Sequence, residues 1–354
     1  MKIKVAILES DVNYLGRIIS VFSTMYADKL QLYSFSNREI ALNAIDKEKI
    51  DVFLCDEIMN IQPTSIPQRC SFVYFVDTKD VDSVNNCHAI CKYQKAELIY
   101  KQILNIYAEH SETLSVSRGK NDDVKMVLFD SPAGGVGTST VAAACACRYA
   151  HMGKKVLYLN LDSFDSADLF FSGEGQYNMS DIIFALKTKK NNLSFKLESC
   201  VRTDQSGVFF YSQSQLALDM LELSMEDKFT LISALNKSSL YDIIVVDNIF
   251  SLENDIYSKM EQFYSIVVVS DGSVSANLKT KRMIDSLVTL EQSNNFVLTD
   301  RMFLFYNRFG SKSGKKIDGL EIRNLGGAPR YLDAQIHQIV NQLSNMDAFD
   351  ILLQ

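Results

Sequence analysis

The chain has 354 residues, 47% of them hydrophobic and 22% charged, with a net charge of −7 at pH 7. This is enough apolar material for about two globular domains, and the acidic balance argues against a broad electropositive surface for nucleic acid. No apolar run is long enough to span a bilayer, and the start Met1-Lys2-Ile3-Lys4-Val5 lacks a signal-peptide profile. Seven cysteines without disulfide-like spacing point to reduced thiols and a cytoplasmic location.

From the start to about Glu109, short apolar runs alternate with helical patterns. Strands are predicted at Lys4–Leu8, Leu30–Phe35, Val52–Cys55, Phe72–Val76 and Ala89–Lys92, with amphipathic segments such as Leu15–Met25 between them. That alternation predicts an α/β domain, a parallel sheet with flanking helices of flavodoxin-like type. Glu9-Ser10-Asp11 follows the first strand, Asp56 closes the third, and Lys92 closes the fifth. Cys87, His88 and Cys91 lack a second cluster to complete four metal ligands. The stretch Tyr107–Asp123 is polar and aperiodic, so the expected organisation is a first domain over residues 1–109, a linker over 110–123 and a second domain over 124–354.

The second domain opens on an apolar run, Val124–Phe129, followed by Ser131-Pro132-Ala133-Gly134-Gly135-Val136-Gly137-Thr138-Ser139-Thr140 and an alanine-rich helical segment, Val141–Met152. Strand, glycine turn and helix form a phosphate cradle. The glycines let successive N–H groups point inward, and the helix N-terminus adds partial positive charge. Ser139 stands where a hydroxyl would ligand Mg²⁺, while Thr138 stands where a standard phosphate loop has Lys. The alternative reading is a glycine-rich turn that only joins strand to helix. Gly310–Lys316 (GSKSGKK) superficially resembles a second phosphate loop but has the wrong spacing. Further along, Val156–Leu161 is a strand ending at Asp162, Ser180–Lys187 a short helix, Val208–Tyr211 a strand and Met220–Leu235 a helix. Tyr241–Asp247 is an apolar strand closing on an acid, the Walker B arrangement beside Mg²⁺. Ile266–Ser270, a basic helix at Lys279–Leu290, and Met302–Tyr306 ending in Asn307-Arg308 follow. Gly326-Gly327-Ala328-Pro329 and an amphipathic helix, Leu332–Leu343, complete the chain.

Two resemblances follow from these residues. "VAILESDVNYL", "DVFLCDE" and "AICKYQKAELI" resemble a response-regulator receiver, with Glu9 and Asp11 near the Mg²⁺-holding acidic pair, Asp56 at the phospho-acceptor position and Lys92 at the lysine position. The pair is weakened by Ser10, and Tyr93 stands in place of Pro, so a non-phosphorylated docking module is favoured over a working receiver; Asp56 also reads as a plain strand-end carboxylate. The order of motifs over Val124–Phe349 resembles the MinD/ParA group of deviant Walker ATPases, and the added receiver-like domain resembles the TadZ/CpaE pilus-assembly proteins.

The resemblance implies a mostly parallel P-loop domain taking ATP and Mg²⁺. Residues Ala133 to Thr140 (Ala133, Gly134, Gly135, Val136, Gly137, Thr138, Ser139, Thr140) would hold the phosphates, and Ser139, Asp162 and Asp247 would surround the metal. It further implies that Asp162 orients the attacking water, and that Asn307, with Arg308 and Pro329 nearby, recognises the base. Both family lysines are replaced, by Ala133 and Thr138, which predicts binding with slow or no turnover. The partners implied are a second copy in an ATP-dependent homodimer and pilus secretion machinery. The location implied is cytoplasmic, at a pole or peripheral to the inner face of the membrane through partners. The tail Tyr331–Gln354 has no Lys or Arg, which counts against direct membrane insertion, and no specific nucleic-acid binding is expected. The rival readings are a phosphorylation-regulated ParA-like partitioning ATPase and an adaptor that no longer binds nucleotide.

Overall fold

The computed structural model describes residues 2–110, 124–188, 193–248, 259–293, 296–310 and 314–354; the predicted linker beyond His110, and Lys312, lie outside the described residues. The chain divides into two compact units, residues 1–115 with 188–199, and residues 116–187 with 200–354.

The first unit contains β1 (Ile3–Leu8), α1 (Val12–Met25), β2 (Leu30–Phe35), α2 (Arg38–Glu48), β3 (Val52–Asp56), β4 (Ser71–Val76), β5 (Ser83–Val84), β6 (Cys87–Cys91) and α3 (Ala96–His110). Its sheet runs β2-β1-β3-β4-β6-β5, and all pairings are parallel except β5 with β6. The first five positions follow the flavodoxin-like order, so the ends of β1, β3 and β6 lie at one edge of the sheet, where such folds place their sites. All five predicted strands are present. Helices do not cover every crossover, however. Two 3₁₀ turns, Glu57–Met59 and Pro63–Ser65, join β3 to β4, and the short β5 hairpin replaces a helix before β6. Pro63 and Pro67 break up the first of these connections, because proline offers no N–H to a helical ladder.

α1 starts where it does because Asp11 accepts hydrogen bonds from the N–H groups of Asn13 and Tyr14. Its Leu15, Ile18 and Phe22 join Val5, Ile7, Val73, Ile99 and Ile103 in one core. α3 runs on to His110, so the polar stretch begins later than its composition suggests. Tyr107 is buried and meets the ring of Phe195 edge-on.

Phe195 comes from the helix Leu193–Cys200, a segment that is distant in sequence yet groups with this unit through residue 199. Glu198 there accepts from Lys29 and from the Tyr100 hydroxyl, both at 2.8 Å, and Lys196 bonds Asn105. No local pattern marked this helix as part of the first unit, since only tertiary contacts assign it there.

The second unit contains β7 (Lys125–Asp130), α4 (Thr138–His151), β8 (Val156–Asn160), α5 (Ala167–Phe170) and α6 (Met179–Lys187). Counting Leu193–Cys200 as α7, it continues with β9 (Val201–Thr203), β10 (Phe209–Tyr211), α8 (Ala217–Leu221), α9 (Met225–Ser238) and β11 (Ile243–Asp247). It ends with β12 (Ser265–Ser270), α10 (Val274–Ser293), β13 (Met302–Phe309), β14 (Arg323–Pro329) and α11 (Ile336–Ser344). The sheet order is β14-β13-β12-β7-β11-β8-β10-β9, parallel except for β9 with β10. Strand β7 is central, with β11 on one side and β12 on the other, so the chain changes direction across the sheet at the loop that follows β7.

The predicted helix Met220–Leu235 is two helices. Ser224 and Asp227 form a capping box that starts a new helix after the first has ended. The predicted tail helix packs inward, with Val340, Leu343, Phe349 and Leu352 in the same core as α4. Arg148 of α4 grips Asp350 at 2.7 and 3.0 Å and Asp347 at 2.8 Å, and the Tyr149 hydroxyl donates to the Phe349 carbonyl at 2.6 Å.

Candidate functional site

At the end of β1, β3 and β6 a buried ionic cluster forms around Lys92. Its ammonium lies 3.1 Å from Glu9, 3.0 Å from Asp56 and 3.2 Å from Asp77. The Ser10 hydroxyl donates to Asp56 Oδ2 at 2.6 Å, and the Ile58 N–H reaches Asp56 Oδ1 at 3.2 Å. Burial raises the Asp56 pKa, but hydrogen bonds from the Ser10 hydroxyl and the Lys92 ammonium outweigh it and hold this carboxyl below the usual range. Of the four receiver-like positions, Glu9, Asp56 and Lys92 come together. Asp11 is spent on capping α1 and faces solvent. Among the described residues no group of three His, Cys, Asp or Glu side chains is placed to hold a metal ion. The arrangement neutralises its own carboxylates with a lysine, and Ser10 stands where a second metal-binding acid would be needed.

In the second unit the loop after β7 is fixed at its start by Ser131, whose hydroxyl donates to the Val269 carbonyl at 2.7 Å and accepts from the Ala133 N–H at 3.1 Å. Gly135 and Gly137 have φ of +78° and +88°, a region that strains side-chain-bearing residues. Gly137 is the residue before α4, so the left-handed turn aims the helix N-terminus, Thr138 to Thr140, at the loop's concave side. A Cβ at Gly134 or Gly135 would meet nothing within 4 Å, so neither glycine is required by packing.

Two further residues brace this loop. The Asn307 Nδ2 donates to the Val136 carbonyl at 2.9 Å, and Arg308 Nη1 donates to the Gly135 carbonyl at 3.0 Å. Both side chains take carbonyls of the loop, not its amides. They reach it because β13 is irregular against β14 between Tyr306 and Phe309, and Arg308 itself has φ of +56°. Pro329, opposite Phe309 at the end of edge strand β14, completes this side.

The same close packing gives a direct test of the loop. A Cβ on Gly137 would sit 2.4 Å from Asn307 Nδ2, and the positive φ adds strain. Gly137→Ala is therefore expected to cost ~1–3 kcal/mol in urea unfolding, whereas Gly134→Ala should stay within about 0.5 kcal/mol. Equal losses at both positions would contradict this geometry.

Asp247 closes β11 and is 2% exposed. Its Oδ2 accepts from the Tyr158 hydroxyl at 2.8 Å and from Asn160 Nδ2 at 3.1 Å. Burial pushes its carboxyl up to about 6, with the Tyr158 hydroxyl and the nearby Ser139 pulling the other way. Asp162 follows β8 by two residues and is half-buried. Its N–H donates to Asn160 Oδ1 at 2.9 Å, and its own Oδ1 accepts from the Phe164 N–H. The phosphate loop, Ser139, Asp247 and Asp162 thus share the ends of β7, β11 and β8. A hydroxyl beside a buried carboxylate of raised pKa fits a hard divalent cation, which would hold that carboxylate ionised.

The partners Tyr158 and Asn160 were not singled out from sequence, although their alternation along β8 put both on one face. Lys228, whose ammonium donates to the Leu161 carbonyl at 2.6 Å and to Asn248 Oδ1 at 3.1 Å, carried no signal at all. A lysine in the first turn of an amphipathic helix ordinarily reads as solvated.

Residues 1–108 match the family model described as TadZ-like, receiver domain. No curated protein matches the sequence. Among solved structures, a ParA family ATPase from Chlorobium tepidum TLS is 18% identical, covers 66% of this chain and 99% of its own, and superposes with a TM-score of 0.52. The MinC:MinD cell division complex from Aquifex aeolicus, also 18% identical, covers 62% of this chain and 86% of its own at a TM-score of 0.46. A plasmid partition protein from Borrelia burgdorferi B31, solved bound to AMPPNP, is 18% identical and covers 66% and 99% at a TM-score of 0.45.

Proposed function

We propose, for a TadZ/CpaE-type chain in which a TadZ-like receiver domain accompanies a MinD/ParA-like P-loop fold, that the second unit binds ATP with Mg²⁺ as an assembly signal and hydrolyses it slowly or not at all. The whole molecule then serves as a dimerising localisation scaffold for tight-adherence (Flp-type) pilus assembly. The observation that carries the nucleotide reading is the buried Asp247 at the tip of β11, where Ser139 from the first turn of α4 is near enough to lower its pKa, beside a glycine turn that opens that helix.

In this reading the backbone N–H groups from Gly134 to Ser139 bind the phosphates, and the Ser139 hydroxyl and Asp247 hold the cation. Asp162 orients a water. Asn307 has its Nδ2 engaged by the loop, so base recognition would fall to its Oδ1. The bound Mg²⁺ would supply Lewis-acid charge to the phosphate oxygens.

What this chain does not supply is an ammonium group from the loop. Ala133 and Thr138 are neutral, and Arg308 directs its guanidinium to the Gly135 carbonyl. A cation placed on the transferring group is worth about 10³- to 10⁵-fold in rate, so slow turnover follows. The test is a melting curve with and without Mg²⁺–ATP together with a single-turnover assay. Stabilisation by Mg²⁺–ATP with turnover far below about 1 s⁻¹ is expected. Turnover at ordinary ATPase rates would overturn the slow-hydrolysis reading, and no binding at millimolar ATP would overturn the nucleotide reading.

The self-neutralised Lys92 cluster supports a docking role for the first domain over a phosphorylation switch. A fluorescent fusion that stays diffuse in cells, with a purified chain that stays monomeric in ATP, would sink the scaffold.

A further inference from the structure

Helix α9 begins at the Ser224–Asp227 capping box, which places Lys228 in its first turn. Lys228 lines one pocket together with Met225, Phe229, Met260 and Phe263, and Asp130 and Asn248 line the same pocket. The Lys228 ammonium donates to the carbonyl of Leu161 at 2.6 Å and to the side chain of Asn248 at 3.1 Å. Leu161 immediately precedes Asp162, and Asn248 immediately follows Asp247. The two segments are also joined by the Leu161 N–H, which donates to the Asp247 carbonyl at 2.7 Å, while the Asn248 N–H donates to the Phe129 carbonyl of β7 at 3.2 Å.

We infer that Lys228 is a positioning residue of the nucleotide site, clamping the residue before Asp162 to the residue after Asp247 so that the two carboxylates keep one spacing around a divalent cation. The inference rests on the ATP–Mg²⁺ reading above and assigns a residue that lies outside both glycine loop and strand-end acids. The side chain is partly buried, so water competes less for the ammonium and its two hydrogen bonds strengthen. Burial lowers the Lys228 pKa overall, and the nearby Asp162 and Asp130 offset part of that shift. Beside a glycine loop that has exchanged its lysines for Ala133 and Thr138, Lys228 is a cation held at the strand ends by two hydrogen bonds.

The test compares the full chain with Lys228→Met, Lys228→Gln and Lys228→Arg. Mn²⁺ affinity is read by electron paramagnetic resonance in the presence of AMPPNP, AMPPNP affinity is read in EDTA, and amide hydrogen exchange is followed at residues 161–164 and 248. Lys228→Met is expected to weaken Mn²⁺ binding ~10-fold, the usual cost of removing a group that orients a metal ligand. AMPPNP affinity in EDTA should stay unchanged, exchange at those amides should quicken, and Lys228→Arg should recover most of the Mn²⁺ affinity. Lys228→Gln, which keeps a stem and a donor, should show a smaller loss in the same direction and carries the test if the methionine variant does not fold. Wild-type Mn²⁺ affinity and exchange in the variants would overturn this inference alone. A wild-type chain that takes up neither Mn²⁺ nor AMPPNP would overturn the nucleotide reading, and this inference with it.

Discussion

Lys92→Met is expected to destabilise the first unit by about 3–5 kcal/mol at pH 7, the cost of breaking a buried ion pair and leaving its partner charged. The reason lies in burial. The Lys92 side chain is 6% exposed and those of Glu9 and Asp56 are 1% and 2% exposed, so solvent cannot take over the role of the ammonium. Asp77, at 61%, is solvated and should contribute little. The pH dependence has a definite sign. In the wild type the Asp56 carboxyl is depressed, so its stabilisation is present above the ordinary value of 3.8 and is lost as pH falls through its folded value. In the variant the same carboxylates lose their counter-charge and are pushed upward, so acid should restore stability as they protonate. Urea unfolding of both proteins between pH 4 and pH 8 should show the gap narrowing toward the acid end. A variant within about 1 kcal/mol of the wild type at pH 7 would show that the cluster is not held by Lys92.

Asp247→Asn should act in the opposite direction on stability and abolish the response to Mg²⁺–ATP. A carboxyl raised from 3.8 to about 6 by burial destabilises the ionised, ligand-free fold by about 3 kcal/mol at 1.36 kcal/mol per unit. This is a raised acid, so its favourable contribution exists below the unfolded value and is lost as pH rises through about 6. The asparagine variant keeps acceptors for Tyr158 and Asn160 without the charge. Without ligand it should therefore melt higher than the wild type at pH 7 and match it near pH 4. Its response to Mg²⁺–ATP should vanish, because the carboxylate that would bind the cation is gone. A variant that melts lower at pH 7, or that keeps the full Mg²⁺–ATP shift, would show that Asp247 is a structural acid and not a cation ligand. The two substitutions separate the roles of buried charge in this chain, since Lys92 neutralises its cluster from within the protein, whereas on the proposed nucleotide reading a bound cation would neutralise Asp247.

Much of the candidate site was legible in the residues themselves. The sequence from Ser131 to Thr140 announces its turn because glycines at 135 and 137 are what a left-handed path requires, and the structure puts φ of +78° and +88° there. Tyr241–Asp247 reads as a buried strand with an acid at its tip because a run apolar on both faces has no solvent side. Crossover helices in the first unit were over-read, since alternation of apolar runs cannot distinguish a short turn or the β5 hairpin from a helix. Likewise Met220–Leu235 looked continuous because both halves are amphipathic, and the capping box at Ser224 marks the restart only once the chain is seen to bend there.

What the chain determined alone was local: the period of its strands, the placement of its turns, the Ala133 and Thr138 that remove cationic charge from the loop, and the alignment of Glu9, Asp56 and Lys92 with receiver positions. Those properties depend on neighbours within a few residues, which sequence displays directly. Tertiary structure decided which distant groups meet. It turned Asp11 outward to cap α1 and Ser10 inward onto Asp56, brought Asn307 and Arg308 across to carbonyls of the phosphate loop, and carried residues 193–199 into the first unit. It also set Lys228 between Leu161 and Asn248. Strand order and a one-residue irregularity in β13 fix these meetings, and both follow from long-range pairing energies that no local window contains.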